Sequence, residues 1–455
     1  MNRMIFLFLV SFYGIIGYCE AGTDNSGQAA SSEPNALAPP GFETLGVNSM
    51  SSQKVALTSR DKAAIYYSTD GNDPSVPEPC GSSATDNTQI YTAPILLSET
   101  TTLKAVACKT GETNSPVVSK TYTKMQNEAS YREVTGFGSN PGGLIMYRYI
   151  PSNIWENSGL VVVLHGCGMS AEAMKGGMSW NELAEKYKFY VVYGQQSQTN
   201  HATQCFRFYD GADNEREQGE ALSIKQMVDT MAGQNSIDHD RIFISGFSAG
   251  AAMTSVMLAT YPDLFAKGAI MAGTPYKGMT FSNQPDNVAT KMPLPVYHAM
   301  YRHLFNPNTK RYDITLEDDP FEKITPAMWG DLVRKASPGT QKYLQAMFIH
   351  GIDSDNLIEP FPDSYDGDPV MHQNNLRDHV TQWTDVHGTD QIADQVDNIF
   401  ADNSNITHRV YKKGNDSVVE TYEIKGLAHL IPVNPGTGPE QVALRSREIP
   451  IILKM

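Results

Sequence analysis

The feature that most constrains the fold is the segment Arg241–Thr254, which reads RIFISGFSAGAAMT. An apolar, β-branched run is followed by a turn with two glycines and then by small residues with good helical propensity. A chain that passes directly from a strand into a helix turns so sharply that side chains flanking the turn would clash. Ser248 lies between Gly246 and Gly250. The segment therefore predicts a strand, a turn and a helix that present the Ser248 hydroxyl at the edge of a sheet.

Apolar runs without polar alternation recur on both sides of this segment, and stretches with helical spacing separate them. Such runs are typical of strands that are buried on both faces of a parallel sheet. Alternation of strand and helix predicts an open α/β sheet. The predicted strands are Gly159–Leu164, Lys188–Tyr193, Arg241–Ser245, Leu344–His350 and Val418–Ile424, and the predicted helices are Met178–Tyr187 and Gly219–Met231.

The amino-terminal residues have the layout of a secretory signal. A basic start precedes an apolar run over Met4–Ile16, and small residues follow up to Ala21. The run is too short to span a bilayer comfortably, so we predict that residues 1–21 are a signal peptide, cleaved near Ala21, and that the protein is secreted. A lipid anchor on Cys19 is the alternative, although Tyr18 stands where that processing signal needs a small residue.

Two further segments precede the α/β region. Residues 22–40 are rich in Ser, Asn, Ala, Gly and Pro, so we predict a flexible linker there. Residues 41–124 contain short strands and turn signals such as Asp70-Gly71, which predict a small all-β sandwich of the immunoglobulin-like kind. Its predicted strands are Lys54–Leu57, Ala64–Tyr67, Ile95–Leu97 and Thr102–Ala107. Residues 125–455 are then the predicted catalytic domain.

The charge of the chain excludes some classes of partner. The formal net charge is −15 and the sequence pI is about 5.2. Nucleic acids and anionic membranes attract proteins with a basic face, so we expect neither nucleic acid binding nor stable membrane insertion.

The cysteines fit an exported protein. Of the five cysteines, Cys19 lies in the predicted signal region, and an even number remains after its removal. An even number in an exported chain favours disulfides over free thiols. Two lie in the predicted sandwich and two near the predicted site, so pairing Cys80 with Cys108 and Cys167 with Cys205 is the simplest hypothesis. The spacing alone leaves every other connectivity open.

A serine hydroxyl is a poor nucleophile near neutral pH and needs a base and an orienting acid. On an α/β sheet with this turn, the order along the chain is Ser, then Asp or Glu, then His. Asp355 follows the predicted strand at Leu344–His350 and is the preferred acid, with Asp353 as the alternative. His429 follows the predicted strand at Val418–Ile424 and is the predicted base.

An oxyanion hole would complete the chemistry. One N–H donor is expected from Ala249, which follows the nucleophile and begins the predicted helix. The other should come from the glycine-rich loop that follows an early strand, and the backbone N–H of Cys167 is our candidate. Such a mechanism requires no metal and no organic cofactor.

Five separated blocks also resemble a known family. VVLHGCGMSAE, QCFRFYDGADNEREQGEALSI, GFSAGAAMTSVMLATYPDLFA, QWTDVHG and GLAHLIPVNPG are similar to the extracellular polyhydroxybutyrate depolymerases and to their feruloyl and acetylxylan esterase relatives. The resemblance implies an α/β-hydrolase fold and an acyl-enzyme formed on Ser248, Asp355 and His429, with Cys167 and Ala249 at the oxyanion hole. Family members often carry Trp where Phe206 and Phe208 stand here.

The amino-terminal segment resembles a second module. IYYSTDGNDPS and IYTAPILLSETTTLKAVACKTG are similar to the small β-sandwich at the carboxyl ends of chitobiases and hexosaminidases. That resemblance implies either substrate docking or a spacer.

The sequence as a whole thus predicts a secreted serine esterase that acts on a polymeric ester, with poly(3-hydroxybutyrate) as the preferred substrate. A feruloyl or acetylxylan esterase of plant polysaccharide is the first alternative, and a broad or lipid-directed esterase is the second. A non-catalytic binding protein that kept the hydrolase scaffold would lack one of the three catalytic side chains, and all three have candidates here.

Overall fold

The computed structural model describes residues 36–47, 52–83, 87–278, 305–306, 311–312, 325–340, 343–354, 367–368, 370–371 and 373–432. The predicted signal peptide and most of the predicted linker lie outside these ranges. Within them, no helix is both long and apolar enough to cross a membrane.

The amino-terminal part is a small antiparallel β structure, as predicted. Its strands are β1 (Gly41–Val47), β2 (Gln53–Thr58), β3 (Ala64–Ser68), β4 (Gln89–Ile90), β5 (Ile95–Leu97), β6 (Thr101–Cys108) and β7 (Val118–Tyr122). One sheet has the order β1-β2-β5 and the other has the order β4-β3-β6-β7. Alternate side chains of both sheets, Val55 and Leu103 among them, share one buried core. The predicted disulfide between Cys80 and Cys108 is present.

The end of the predicted linker packs on this structure. Leu37 is buried, and its backbone N–H donates a hydrogen bond to the Thr113 carbonyl oxygen. The Ala38 N–H donates to the Asp61 carboxylate. Burial of the apolar Leu37 side chain against the sandwich offsets the conformational entropy that is lost when these residues become ordered. The prediction of a flexible linker is therefore wrong for residues 36–40.

The remaining strands and helices form the α/β part of the chain. The strands are β8 (Ser130–Val134), β9 (Ile145–Ile150), β10 (Ser158–Leu164), β11 (Tyr190–Gln195), β12 (Ile237–Phe247), β13 (Lys267–Met271), β14 (Phe305–Asn306), β15 (Arg311–Tyr312), β16 (Gln345–Ile352), β17 (Gln395–Asp397), β18 (Ile406–Lys413) and β19 (Asp416–Lys425). The helices are α1 (Trp180–Tyr187), α2 (Gly219–Gln234), α3 (Ala249–Thr260), α4 (Pro326–Ala336) and α5 (Asn374–His387).

Ten of these strands form one sheet with the order β17-β18-β19-β16-β13-β12-β10-β11-β9-β8. The central strands from β19 to β11 run parallel, and the outer strands pair antiparallel. Every residue of β10 is buried, which explains its continuous apolar sequence. Because the central strands are parallel, their carboxyl ends meet at one edge, where loops can carry a site. The predicted α/β sheet is confirmed.

Helix α3 lies in the interior of this domain. All of its residues are buried, including Gly250 and Met253, in agreement with a sequence that is small or apolar all round. It packs beside β12 and β13 in the largest apolar cluster of the described chain. The helix that follows Ser248 is therefore held rigidly against the sheet.

The α/β part of the chain also contributes to the core of the sandwich. Trp155, in the segment between β9 and β10, is buried in the core that the two small sheets share. The Met125 N–H donates to the Ile154 carbonyl oxygen at 2.7 Å, and the Glu156 N–H donates to that of Thr123 at 2.9 Å. Residues on both sides of the predicted domain boundary therefore pack together.

Candidate active site

Ser248 lies at the turn between β12 and α3. Its φ of 55° and ψ of −119° are a conformation that few residues other than glycine adopt. A Cβ atom added to Gly246 would lie 2.2 Å from the Gly250 carbonyl oxygen, and one added to Gly250 would lie 2.4 Å from the Leu164 carbonyl oxygen. Both glycines are therefore required by close backbone contacts. The strained turn holds the Ser248 side chain at the carboxyl edge of the sheet.

His429 lies beside this serine, as the sequence predicts. It follows β19, after a turn in which Gly426 has a φ of 65°. The Nε2 atom of His429 lies 2.9 Å from the Ser248 Oγ atom. The imidazole also packs on the Phe247 ring, with 4.8 Å between the ring centroids. The imidazole is therefore in hydrogen-bond reach of the hydroxyl proton that a general base would take.

Asp368 provides the carboxylate at the other side of the imidazole. Its Oδ2 atom lies 2.9 Å from the His429 Nδ1 atom, and the residue is fully buried. Its Oδ1 atom accepts hydrogen bonds from the backbone N–H groups of Val370 and Met371, each at 2.8 Å. These contacts hold the carboxylate in one orientation, so that the Nδ1 proton of His429 points at Asp368 and Nε2 is left to face the serine.

The carboxylate that the structure brings to His429 is not one that the sequence analysis names. Asp368 occupies the place that the sequence assigns to Asp355, which itself lies outside the described residues. The alternative, Asp353, is buried just after β16, and its backbone N–H donates to the Gln373 side chain at 2.9 Å, whereas the bond from His429 Nδ1 goes to Asp368. The connection between β16 and α5 is long and contains several aspartates. The order Ser, acid, His along the chain restricts the acid to that connection, but it does not select one aspartate within it.

The position of Asp368 is stabilised from behind by another histidine. The Nε2 atom of His350, on β16, lies 2.7 Å from the Met371 carbonyl oxygen, so the ring donates a hydrogen bond there. Met371 in turn donates its N–H to Asp368. His350 thereby links the turn that carries Asp368 to the sheet. A histidine inside a predicted buried strand was the available sequence signal for this contact.

The expected oxyanion donors border the serine. Ala249 is the first residue of α3, and the N–H groups of a first helical turn have no partner within the helix. On the other side, a Cβ atom added to Gly166 would lie 3.2 Å from the Ser248 Cβ atom. The loop that carries Cys167 therefore passes directly beside Ser248, and a side chain at residue 166 would crowd it.

A second loop holds this one in place. The predicted disulfide between Cys167 and Cys205 is present, and the Gly168 N–H donates to the Thr203 carbonyl oxygen at 2.8 Å. We name residues 197–207 the bracing loop. Phe206, in this loop, is fully buried and packs on the His165 ring rather than standing open to a ligand.

Glu220 anchors the bracing loop to α2. This fully buried carboxyl accepts hydrogen bonds from the Arg207 N–H at 2.8 Å and from the side-chain amides of Gln196 and Asn200. Burial raises the pKa of Glu220 to about 8, and the hydrogen bonds from Arg207 and Gln196 oppose that rise. The described residues contain no group of three His, Cys, Asp or Glu side chains that could hold a metal ion.

Two parts of the chain match known protein families. Residues 145–284 match the family described as Esterase PHB depolymerase, and residues 55–122 match the family described as Fn3 associated. The first match includes β9 to α3 and so contains the turn at Ser248 and the loop at Cys167. The second covers most of the amino-terminal β structure.

Individual relatives match about two thirds of the chain. Poly(3-hydroxyalkanoate) depolymerase C of Paucimonas lemoignei is 39% identical over 310 residues, which are 68% of this chain and 64% of that protein. The chain thus spans slightly less than two thirds of that relative. An acetylxylan esterase of Coprinopsis cinerea is 30% identical over 315 residues, which are 69% of this chain and 71% of that protein.

A solved structure shows the same fold. The acetyl xylan esterase from Aspergillus awamori superposes with a TM-score of 0.52 at 24% identity and covers 67% of this chain and 95% of that one. With the sharp turn at Ser248 and the matches above, the chain belongs to the polyhydroxybutyrate depolymerase family of esterases, which have the α/β-hydrolase fold.

Proposed function

We propose that the chain is a serine esterase in which Ser248 is the nucleophile, His429 the general base and Asp368 the orienting acid. The observation that carries this proposal is the continuous hydrogen-bonded array from Asp368 through His429 to Ser248, with contacts of 2.9 Å on both sides of the imidazole. An incidental serine in a glycine-rich turn would have no reason to meet a histidine that is itself bonded to a buried carboxylate.

Acylation proceeds by proton transfer and attack. His429 Nε2 takes the hydroxyl proton of Ser248 while Oγ forms a bond to the ester carbonyl carbon, and the carbonyl electron pair moves to oxygen. The N–H groups of Cys167 and Ala249 stabilise that oxyanion. When the tetrahedral intermediate collapses, the bond to the alcohol oxygen breaks, and the alcohol leaves with the proton from His429. An acyl group then remains on Ser248.

Deacylation repeats these steps with water. His429 takes a proton from water, and the resulting hydroxide adds to the acyl carbon. Collapse releases the carboxylic acid and returns the proton to the Ser248 oxygen. Asp368 stays a carboxylate throughout and stabilises the imidazolium that forms twice in the cycle.

We infer that the substrate is a polyester of short hydroxyalkanoic acids, with poly(3-hydroxybutyrate) as the first choice. The name of the 39% identical relative, a poly(3-hydroxyalkanoate) depolymerase, supports this class. The second candidate is an acetylated or feruloylated plant polysaccharide, which the 71% coverage of the acetylxylan esterase relative favours. Secretion fits both candidates, because an exported enzyme can reach a large insoluble polymer and the two disulfides form in oxidising compartments.

The decisive experiment measures release of soluble acid from amorphous poly(3-hydroxybutyrate), with acetylated xylan and a short soluble ester assayed in parallel. We expect acid release from the polyester by the wild-type protein and none from Ser248→Ala. Release of acetate from the acetylated xylan and cleavage of the soluble ester, without any acid release from the polyester, would reject the polyester and leave the second candidate. Activity retained by Ser248→Ala on every substrate would reject the proposed nucleophile.

A further inference from the structure

A cavity lies between α5 and the sheet, apart from the proposed catalytic array. Its volume is about 370 Å³, within the range of about 300–1,000 Å³ that small-molecule sites occupy. Ser248, His429 and Asp368 do not line it. Its wall includes Ile352, the last residue of β16, and Gln373, the residue before α5. These two residues are at the two ends of the connection that carries Asp368. We name this space the α5 cavity.

The floor of the α5 cavity is apolar. Leu376 and Val380 contribute to it from α5, and Ile352 contributes from β16. The two helical residues are four positions apart, so they share one face of α5, and both are largely buried. An aliphatic segment of a ligand would lose contact with water on this floor, which is favourable. The floor therefore favours a ligand with an alkyl part.

Arg377 places a positive charge in the wall of the cavity. Its side chain is 52% exposed, and its Nε and Nη2 atoms both lie 3.2 Å from a single oxygen of Asp378. Its Nη1 group makes no hydrogen bond with any residue that the structure describes. An exposed ion pair of this kind is weak, whereas a guanidinium binds a carboxylate well through two parallel N–H bonds. Arg377 can therefore receive the carboxylate of a ligand.

Tyr411 adds a buried hydroxyl that lacks a partner. The residue is only 6% exposed and lines the α5 cavity, and its hydroxyl makes no hydrogen bond within the described part of the chain. Buried polar groups nearly always have a hydrogen-bond partner, so this hydroxyl indicates a ligand or water in the cavity. Burial and the charge of Glu423 raise the pKa of Tyr411, so the hydroxyl stays protonated and is a donor near neutral pH.

Glu423 provides an acceptor in the same wall. Its Oε1 atom accepts from Arg409 Nε at 2.8 Å and from the Thr421 hydroxyl at 3.5 Å, and its Oε2 atom accepts from Arg409 Nη2 at 3.2 Å. The pair with Arg409 balances the charge of Glu423, so an anionic ligand is not strongly repelled. Because each carboxylate oxygen has two lone pairs, Oε2 can still accept from a hydroxyl of a ligand.

We propose that the α5 cavity binds a short oligomer of an aliphatic hydroxy acid. The carboxylate of the oligomer pairs with Arg377, its alkyl part lies on the apolar floor, and its terminal hydroxyl contacts Tyr411 and Glu423. This inference rests on the proposed function, because hydrolysis of a polyester of hydroxyalkanoic acids releases oligomers with an acid at one end and a hydroxyl at the other. The α5 cavity is then a second site for the product, beside the connection that carries Asp368.

Calorimetric titration of Ser248→Ala with the linear dimer of 3-hydroxybutyrate tests the proposal, because this variant should bind the dimer without hydrolysing it. Adding Arg377→Gln should raise the Kd at the α5 cavity about 10- to 100-fold, as expected for loss of hydrogen bonds to a charged group. Adding Tyr411→Phe should raise it about 3- to 10-fold. The control is Arg60→Gln, which removes an exposed arginine of the sandwich and should leave the Kd unchanged.

The methyl ester of the dimer tests recognition of the carboxylate. It should bind Ser248→Ala about 10- to 100-fold more weakly than the dimer does, and adding Arg377→Gln should weaken it no further. Binding of the dimer at the catalytic site would not depend on Arg377, so this comparison separates the two sites. In the otherwise wild-type protein, Arg377→Gln should leave kcat on a short soluble ester within twofold, because the residue is outside the catalytic array.

Failure of this inference is distinguishable from failure of the proposed function. A dimer Kd that Arg377→Gln does not change, or equal binding of the dimer and its methyl ester, would overturn the α5 cavity as the site. Absence of dimer binding by Ser248→Ala would also overturn it, even if the wild-type protein releases acid from the polyester. Acid release that persists in Ser248→Ala would reject the proposed nucleophile, whereas binding of the dimer that depends on Arg377 would still support the α5 cavity.

Discussion

The Nδ1 atom of His429 lies 2.9 Å from the Asp368 Oδ2 atom, although the two residues are 61 positions apart in the sequence. The carboxylate is fully buried and receives two backbone N–H groups from the turn that follows it. Asp368 is therefore oriented by the backbone that follows it before substrate arrives. That preorganisation is what an acid needs if it is to keep an imidazole in one tautomer.

Asp368→Asn should reduce kcat about 10,000-fold on a soluble ester, because an amide in that place stabilises the wrong tautomer of His429 and no imidazolium. The mutant should remain folded, since an amide oxygen can still accept the backbone N–H groups. Asp355→Asn is the control, with kcat expected within twofold of the wild type. The opposite pattern, a large loss at Asp355 and none at Asp368, would restore the acid that chain order predicts. Initial rates and circular dichroism are the measurements.

The two disulfides should differ in their effect on catalysis. Replacing Cys167 and Cys205 together by serine should lower kcat about tenfold, because the loop beside Ser248 loses its covalent attachment to the bracing loop. Replacing Cys80 and Cys108 together should leave kcat unchanged. Each pair should cost about 2–4 kcal/mol in the free energy of unfolding of its own domain, measured by urea titration. Equal kcat values in the two double mutants would mean that the loop at Cys167 is held without its disulfide.

Gly250→Ala should destabilise the protein by about 3 kcal/mol and abolish activity, because the new Cβ would lie 2.4 Å from the Leu164 carbonyl oxygen. Gly233→Ala, near the end of α2, is the control. A Cβ there meets nothing within 4 Å, and loss of glycine flexibility in the unfolded chain should stabilise the protein by up to about 1 kcal/mol. Urea unfolding of both variants tests this contrast. Similar stabilities for the two would show that the strand-to-helix turn can relax.

Stability should decline in weak acid because buried histidines resist protonation. Burial lowers the pKa of His379 to about 3 and that of His387 to about 4. The unfolded chain takes up protons on these side chains below its pKa of about 6.5, and the folded chain does not, so stability is lost as the pH falls from about 6.5 towards 4. His387 alone should account for about 3 kcal/mol of that loss.

His387→Gln tests this pH dependence, since the amide can still donate to the Leu344 carbonyl oxygen but cannot titrate. Free energies of unfolding measured between pH 8 and pH 4 should fall less steeply in this variant. The same substitution at His239, which is exposed, should leave the profile as in the wild type. An unchanged slope in His387→Gln would assign the acid sensitivity to other groups.

The parts of the site that depend on local backbone geometry could be predicted from the sequence. The turn at Ser248 requires a glycine on each side of it, a strand before it and a helix after it. All of these features lie in one continuous segment of the sequence. His429 is similarly marked by its place after a strand near the end of the described chain. The strands and helices of the α/β region were predictable because continuous apolar runs and helical spacing come from burial on a parallel sheet.

The carboxylate that contacts His429 could be identified only in the folded chain. An orienting acid needs only a carboxylate oxygen within hydrogen-bond distance of the imidazole. Any aspartate in a long connection can provide one. The local sequence therefore contains no preference for Asp368 over Asp355. The hydrogen bond from the Gln196 N–H to the buried His165 ring was likewise hidden, because Gln196 follows the neighbouring strand β11. The burial of Trp155 in the sandwich core is a third case. Each depends on long-range packing, which the order of residues along the chain does not specify.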